Sequence, residues 1–366
     1  MKILIDLTSL ADNFSGIERF AMNISIGLIN QSRNHDFILF FKNEINREFL
    51  KYKENQHIKF VVLKGKNKLI FNQVILPKAL YKYKADRYFF PAFPDPILFF
   101  RHNVYTTIHD LGCWDSPDSM TNLSRKYFKI SYRKSMKFSE KILTVSNFSK
   151  RRITKIGKIS ENKIHVIYNG INEKFQNNPD YSVLGKYNIP SNYILTLSTL
   201  EPRKNLSLLI KAYERMLNIE TGIPELVLAG RKGWKMDDFL SGYGKNIIEH
   251  IHFTGFIDDE DLSAIYSIAS LFVFPTKYEG FGIPPLESMA CGTPVVSSDA
   301  ASMTEVLGDA ALFFESDNIE SFLDKMKQAL EMTDNERNQL IEEGYKQVQK
   351  FSWDRESKRL LSIIEK

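Results

Sequence analysis

Short, nearly continuous apolar runs punctuate the first half of the chain, at residues 3–7, 37–41, 58–63, 87–90, 104–108 and 142–145, with helical stretches between several of them. Runs of this length, alternating with helices, read as strands of a parallel sheet buried on both faces. The second half repeats the scheme at 193–197, 226–229, 251–253, 271–274, 294–297 and 311–314. Between the two sets, residues 172–191 carry Gln176, Asn177, Asn178, Pro179, Asp180 and Pro190, a polar, turn-rich composition expected of a linker. The chain has 366 residues, more than one core usually serves. The expectation is therefore two doubly wound α/β domains, 1–175 and 180–350. Ligands of such sheets bind outside the carboxyl ends of the strands, so two facing domains would form a cleft lined by loops that follow strands. Residues 351–366 read as a further amphipathic helix, with Trp353, Leu360, Leu361, Ile363 and Ile364 on an apolar face that needs a partner.

Composition removes several classes. Hydrophobic residues at 43% and charged ones at 25% leave disordered, collagen-like and coiled-coil chains without support. Cys113 and Cys291 lie far apart and have no zinc or disulfide spacing, which fits a reducing cytoplasm. The opening MKILIDLTSL reads as a strand rather than a signal peptide. No apolar stretch approaches the roughly 20 residues needed to span a bilayer.

The net charge of +5 hides a division. Residues 1–175 hold 30 Lys and Arg against 15 Asp and Glu, while residues 176–366 hold 19 against 29. A first half this basic suits an anionic partner such as a membrane surface, a lipid diphosphate or a nucleic acid. A solvated basic surface explains it equally.

Chemistry is most legible in residues 274–296, which run strand, glycine loop, helix, strand. Gly280 and Gly282 permit a backbone path close to a ligand, and Pro284 and Pro285 fit the first turn of a helix, where a missing N–H costs nothing. The free N–H groups at the start of that helix make a seat for a diphosphate. Glu279 before the loop and Glu287 within the helix flank the seat, placed to accept hydrogen bonds from sugar and ribose hydroxyls.

This segment resembles the paired-glutamate motif of the family 4 retaining glycosyltransferases, which have the GT-B fold of two Rossmann-like domains. The similarity covers nearly the whole chain. Residues 200–205 (LEPRKN) resemble the family's phosphate-binding turn, 226–234 its next strand and loop, and 251–256 the segment beside the nucleobase, which ends at Phe256. In the first half, Ser15-Gly16-Ile17-Glu18-Arg19 resembles the glycine loop after the opening strand, and Thr107-Ile108-His109-Asp110 the active-site histidine loop. Segments 145–150 and 168–170 resemble the approach to the linker. Residues 45–100 carry no such signature, and acceptor recognition would vary there.

The resemblance implies a role for each matching position. Glu287 would bind the ribose, Glu279 the transferred sugar, and backbone around Phe281, Gly282 and Ile283 the donor near its diphosphate. Lys204 with Arg203 would neutralise that diphosphate, and Gly16 would let the first loop approach it. His109 would contact the donor sugar or orient the attacking hydroxyl, with Asp110 as its orienting partner. Many family members carry an arginine six residues before the lysine. That position is Ser198 here, so Arg203 or Arg231 would supply the second cation.

The family also implies a nucleotide diphosphate sugar as donor substrate, no separate cofactor, and same-face transfer without a covalent intermediate. Asp259-Glu260-Asp261 reads as the acidic first turn of a helix rather than a metal site, and cations already placed for phosphate make a metal unnecessary. The spelling of 201–205 with Gly233 and Trp234 is similar to bacterial mannosyltransferases of O-antigen assembly, and other hexosyltransferases share it. GDP-mannose is thus the first donor expectation, with dTDP-rhamnose or a UDP-hexose beside it. The expected acceptor is a lipid-linked glycan on the cytoplasmic leaflet, not a nucleic acid. A peripheral membrane contact is suggested by Lys64, Lys66 and Lys68 before the apolar residues 69–76 and by Lys78, Lys82 and Lys84 after them, with a second basic run over 125–141. A GT-B sugar-nucleotide epimerase and a non-catalytic sugar-nucleotide-binding protein are the competing readings. The opening strand lacks the Gly-x-Gly-x-x-Gly of an NAD-dependent dehydrogenase.

Overall fold

A computed structural model describes residues 1–10, 16–32, 34–231 and 242–366. The chain divides into two units. The first comprises Met1–Trp114, Asn122–Gly170 and Ser352–Lys366; the second comprises Asp115–Thr121 and Ile171–Phe351.

The first unit is built on seven parallel strands: β1 (Lys2–Asp6), β2 (Asp36–Lys42), β3 (Ile58–Leu63), β4 (Arg87–Phe90), β5 (Val104–Thr107), β6 (Lys141–Thr144) and β7 (Ile164–Val166). Their spatial order is β3-β2-β1-β4-β5-β6-β7. Ile3, Leu4 and Ile5 are wholly buried because β1 is central and covered on both faces, which is why the sequence there is apolar without alternation. The order reverses direction between β1 and β4, and their loops part there to leave a crevice. β7 has no counterpart among the expected runs: it is three residues long, pairs only with β6, and is interrupted by His165.

The second unit has six parallel strands: β8 (Tyr193–Leu197), β9 (Glu225–Ala229), β10 (Ile251–Gly255), β11 (Leu271–Phe274), β12 (Val295–Ser298) and β13 (Leu312–Phe314). They lie in the order β10-β9-β8-β11-β12-β13, so the switch point falls between β8 and β11. The linker-like residues 172–191 are not bare connection. They include the helix Ser182–Tyr187, which buries Val183 and Leu184, and they are tied down within the second unit: Asn178 N donates to Ser267 Oγ at 3.1 Å and Lys186 Nζ meets Asp261 Oδ2 at 2.7 Å.

The helix Trp353–Ile364 belongs to the first unit. It buries Leu360, Ile363 and Ile364 and packs on the helix Gly16–Gln31, whose Gly27 has no room for a Cβ: one would lie 1.9 Å from Ser357 Oγ. Glu356 Oε2 accepts from Tyr168 N at 3.2 Å, and Arg87 Nε donates to the Ile364 carbonyl at 3.0 Å. Trp353 and Leu361, placed by the sequence on the apolar face, are only half-buried.

Candidate functional site

In the second unit, the loops that follow β8 and β11 meet at the switch point. After β8 the backbone is crossed at close range by Gly230, at φ +127°, where a Cβ would sit 1.9 Å from the Ser198 carbonyl oxygen. Only glycine serves there. The crossing continues as Leu200 N donates to the Arg231 carbonyl at 2.9 Å. The turn Pro202–Lys204 then points two cations at the neighbouring loop, which is sewn to it: Lys277 N and Thr276 Oγ1 donate to the Arg203 carbonyl at 2.8 and 3.2 Å.

These bonds bring Glu279 onto both cations. Arg203 Nη1 lies 3.1 Å from Glu279 Oε1, and Lys204 Nζ contacts the same oxygen. Arg203 also pairs with Glu201 and donates to the Tyr278 carbonyl at 3.2 Å. Burial alone would push the Glu279 carboxyl up, but the Arg203 and Lys204 charges outweigh it and hold the group below the usual glutamate range. Burial pulls the Lys204 ammonium down, Glu279 opposes that, and Arg203 adds to it. The result is a fixed anion between two fixed cations in a site largely screened from water.

Past Glu279 the loop is clamped by Ser302, whose Oγ donates to the Glu279 and Phe281 carbonyls at 3.0 and 3.2 Å. Gly282, at φ +92°, starts the helix Ile283–Ala290, and a Cβ on it would reach within 2.5 Å of Met303 Cε. Pro284 and Pro285 occupy that helix's first turn, as their missing N–H groups allow. Phe281 is buried and Ile283 half-buried, so what this loop offers a ligand is mainly backbone. Glu287 is 3% exposed and accepts from the Tyr266 hydroxyl at 3.1 Å. Arg231 stacks on Phe256, 4.5 Å from the ring centroid, and so forms a flat cationic and aromatic surface.

Both candidates to stand in for the arginine absent at Ser198 lie on loops at this switch point: Arg203 shares Glu279 with Lys204, and the Arg231 carbonyl accepts from Leu200 N. Gly233 and Trp234 lie outside the described residues, as does Ser15 in the first unit. The acidic run at 259–261 serves as a structural tie: Asp259 pairs with Lys174, and Asp261 with Lys186 and the Tyr187 hydroxyl. Sequence reasoning missed Tyr266, Ser302 and Glu201 as parts of the site. Tyr266 carries only the signal of an amphipathic helix, and Ser302 arrives from the loop after β12.

In the first unit, His109 follows β5 and is 8% exposed. Its Nε2 lies 2.9 Å from the Pro91 carbonyl, which can only accept, so that nitrogen carries the proton. Burial pushes the imidazole down to about 4 and leaves it neutral at physiological pH, with Phe20 edge-on at 5.0 Å. Asp110 Oδ1 accepts from Gly112 N at 2.8 Å, which ties it to the start of the next turn. Gly16 is exposed as the first residue of its helix.

A separate cavity of about 310 Å³ opens at the β1/β4 switch point of this unit. Asp6 at the end of β1, Lys42 at the end of β2, and Asn72, Phe93 and Phe128 are among its walls. Burial raises the Asp6 carboxyl to about 6, with hydrogen bonds from Thr8 opposing the rise. Ala92, next to the carbonyl that His109 holds, is part of the same wall.

Two family models match the chain: glycosyltransferase family 4 over residues 14–175, and glycosyl transferases group 1 over 185–347. O-antigen chain mannosyltransferase B of Escherichia coli is 33% identical over 288 residues, 75% of this chain and 73% of that protein. Serotype-specific mannosyltransferases of Escherichia coli match as well, over 21–27% of their greater length. Among solved structures, sucrose-phosphate synthase from Thermosynechococcus elongatus superposes with a TM-score of 0.78 at 17% identity, covering 100% of this chain and 98% of its own. The Anabaena protein HepE in complex with UDP-glucose does so with 0.76 at 16%, covering 100% and 99%. With both halves matched in order, and a Rossmann-like sheet in each, the chain belongs to the GT-B glycosyltransferases of family 4.

Proposed function

We propose that the chain is a retaining, metal-independent hexosyltransferase that takes GDP-mannose as donor and extends a lipid-linked glycan in surface polysaccharide synthesis at the cytoplasmic face of the membrane. The observation that carries this reading is the Arg203–Lys204–Glu279 cluster at the β8/β11 switch point, beside the start of the helix Ile283–Ala290. A departing nucleoside diphosphate develops negative charge, and cations already fixed in place stabilise it without reorganising. Glu279 would then exchange its contact with the cations for hydroxyls of the transferred sugar, while Glu287, held by Tyr266, receives the ribose.

Transfer forms a bond from the acceptor oxygen to the anomeric carbon on the face from which the diphosphate leaves. The acceptor's proton passes to the departing phosphate oxygen, so neither a covalent enzyme intermediate nor a separate base is required. The neutral His109, with its Nε2 proton committed to Pro91, acts as a positioning residue that fixes the wall of the cavity at the β1/β4 switch point. That cavity would hold the acceptor sugar, aromatic faces against the ring and Asp6 and Asn72 toward its hydroxyls. Its size falls within the usual range for small-ligand pockets. Mannose is the first choice because the matched Escherichia coli proteins are named mannosyltransferases.

The test is a screen of GDP-mannose, UDP-glucose and dTDP-rhamnose for thermal stabilisation and slow donor hydrolysis, followed by transfer to a lipid-linked acceptor and determination of the product's anomeric configuration. Stabilisation by GDP-mannose alone, with an α-linked product, is expected. Inversion at the anomeric carbon would overturn retention. Release of an epimerised sugar nucleotide without acceptor would favour an epimerase, and binding without turnover a non-catalytic protein.

A further inference from the structure

We infer that one face of the first unit docks on an anionic phospholipid surface, through apolar side chains set among lysines and arginines. Of the large hydrophobic residues exposed among the described residues, most stand on this unit, and they cluster on three segments: the helical stretch 68–82, the loop 93–101 and the helix Asn122–Phe138.

The three segments lie side by side. Gln73 Nε2 donates to the Tyr127 hydroxyl at 2.9 Å, and its Oε1 accepts from Ile97 N at 3.1 Å, so one side chain joins all three. Phe100 N donates to the Tyr81 hydroxyl at 3.0 Å, and the Phe100 and Phe138 rings meet edge to face at 5.6 Å. On the outside, Leu69 is 61% exposed and Leu123 80%, with Ile70, Val74, Leu98 and Ile130 also open to solvent. These are not fraying ends. Asn67 Oδ1 caps the first turn by accepting from Leu69 N and Ile70 N, both at 3.0 Å.

Cations share the face at helical spacing. Between the exposed end residues Asn122 and Phe138 of that helix, Leu123, Lys126, Ile130, Arg133 and Lys137 are exposed at three- and four-residue intervals. Lys64, Lys66, Lys78 and Lys82 are exposed on or beside the first stretch. No acidic residue falls within 55–85 or within 119–139. A protein partner's apolar surface would match the leucines and leave the cations without counter-charges. A leaflet with anionic headgroups satisfies both, since apolar side chains enter the acyl boundary while lysines reach back to phosphate. The face extends the reading of a lipid-linked acceptor, but its test does not depend on that reading.

The experiment is flotation of the full chain with phosphatidylcholine vesicles, with and without phosphatidylglycerol, across a salt series, together with mass by light scattering. Binding to the mixed vesicles that weakens steeply with salt is expected, with little on phosphatidylcholine alone. Leu69→Ser with Ile70→Ser should lower it at least tenfold, since each exposed side chain that inserts is worth roughly that factor. Lys64→Glu with Lys66→Glu should weaken the binding and flatten its salt dependence, while the five other cations keep part of both. Donor hydrolysis without vesicles should be unchanged in both pairs, which shows that they fold. Failure of the wild-type chain to float while it still hydrolyses donor would overturn the inference and leave the glycosyltransferase reading standing. So would a dimer that the serine pair converts to monomer without any vesicle binding.

Discussion

Glu279 shares one carboxylate oxygen between Lys204 and Arg203, the latter at 3.1 Å, although the three residues come from loops after two different strands. The arrangement sets the first prediction. Glu279→Gln keeps the volume and removes the charge that both cations face and that, on the proposed reading, receives the sugar, so turnover should fall about a hundredfold with a smaller change in donor affinity. Glu287→Ala should do the reverse and weaken donor binding roughly tenfold or more, since it removes hydrogen bonds to a charged group. Tyr266→Phe should give a milder form of the same defect. Donor titration and steady-state kinetics on the three variants separate the cases, and normal kinetics in both glutamate variants would remove the assignment.

How much of this could be read from residue order differs by distance along the chain. β8 and β11 were legible because each is buried on both faces, and the glycine loop with its two prolines signals a strand turning into a helix within one short segment. The clamp from Ser302 and the hydroxyl of Tyr266 were not legible. Both act across more than twenty residues on partners set by sheet order, and neither residue type departs from what an ordinary loop or amphipathic helix would carry. β7 escaped for a related reason, as an edge strand of three residues makes no apolar run.

Activity should survive EDTA. On the proposed reading Arg203 and Lys204 offset the charge of the diphosphate without a divalent ion, and Asp259 and Asp261 are already paired with lysines. Initial rates after chelation and after added magnesium provide the check. A complete loss that magnesium restores would sink metal independence.

Two groups of the first unit give stability opposite slopes with pH. The folded His109 titrates near 4, below its ordinary 6.5, so the unfolded chain binds the extra proton and stability is lost as pH falls through that window. The folded Asp6 titrates near 6, above its ordinary 3.8, so stability is lost as pH rises through its own window. Each shift corresponds to about 3 kcal/mol at most, and partial exposure trims the contribution of Asp6. Relative to the wild-type chain, Asp6→Asn should therefore become more sensitive to acid between about pH 6.5 and 4, and His109→Asn less so. Urea midpoints at several pH values would show it; parallel profiles for all three proteins would mean that neither shift survives in solution.

Removing residues 352–366 should damage the first unit, although the deletion lies at the far end of the chain from β1. Leu360 and Ile364 are wholly buried and Ile363 nearly so, all in the helix that packs on Gly16–Gln31. Each large apolar side chain fully buried contributes roughly 1.5 to 3 kcal/mol, so losing three costs on the order of 5 kcal/mol, a large part of what usually separates folded from unfolded. The deletion also strips the acceptor from Tyr168 N and opens a groove along Gly27 that only a close-packed partner fills. Hydrogen exchange provides the measurement. Amides of residues 17–30 and 164–168 should lose protection in the truncated chain, while β8 to β13 keep theirs. Unchanged protection at 17–30, with faster exchange confined to residues 180–350, would show that the helix stabilises the second unit instead.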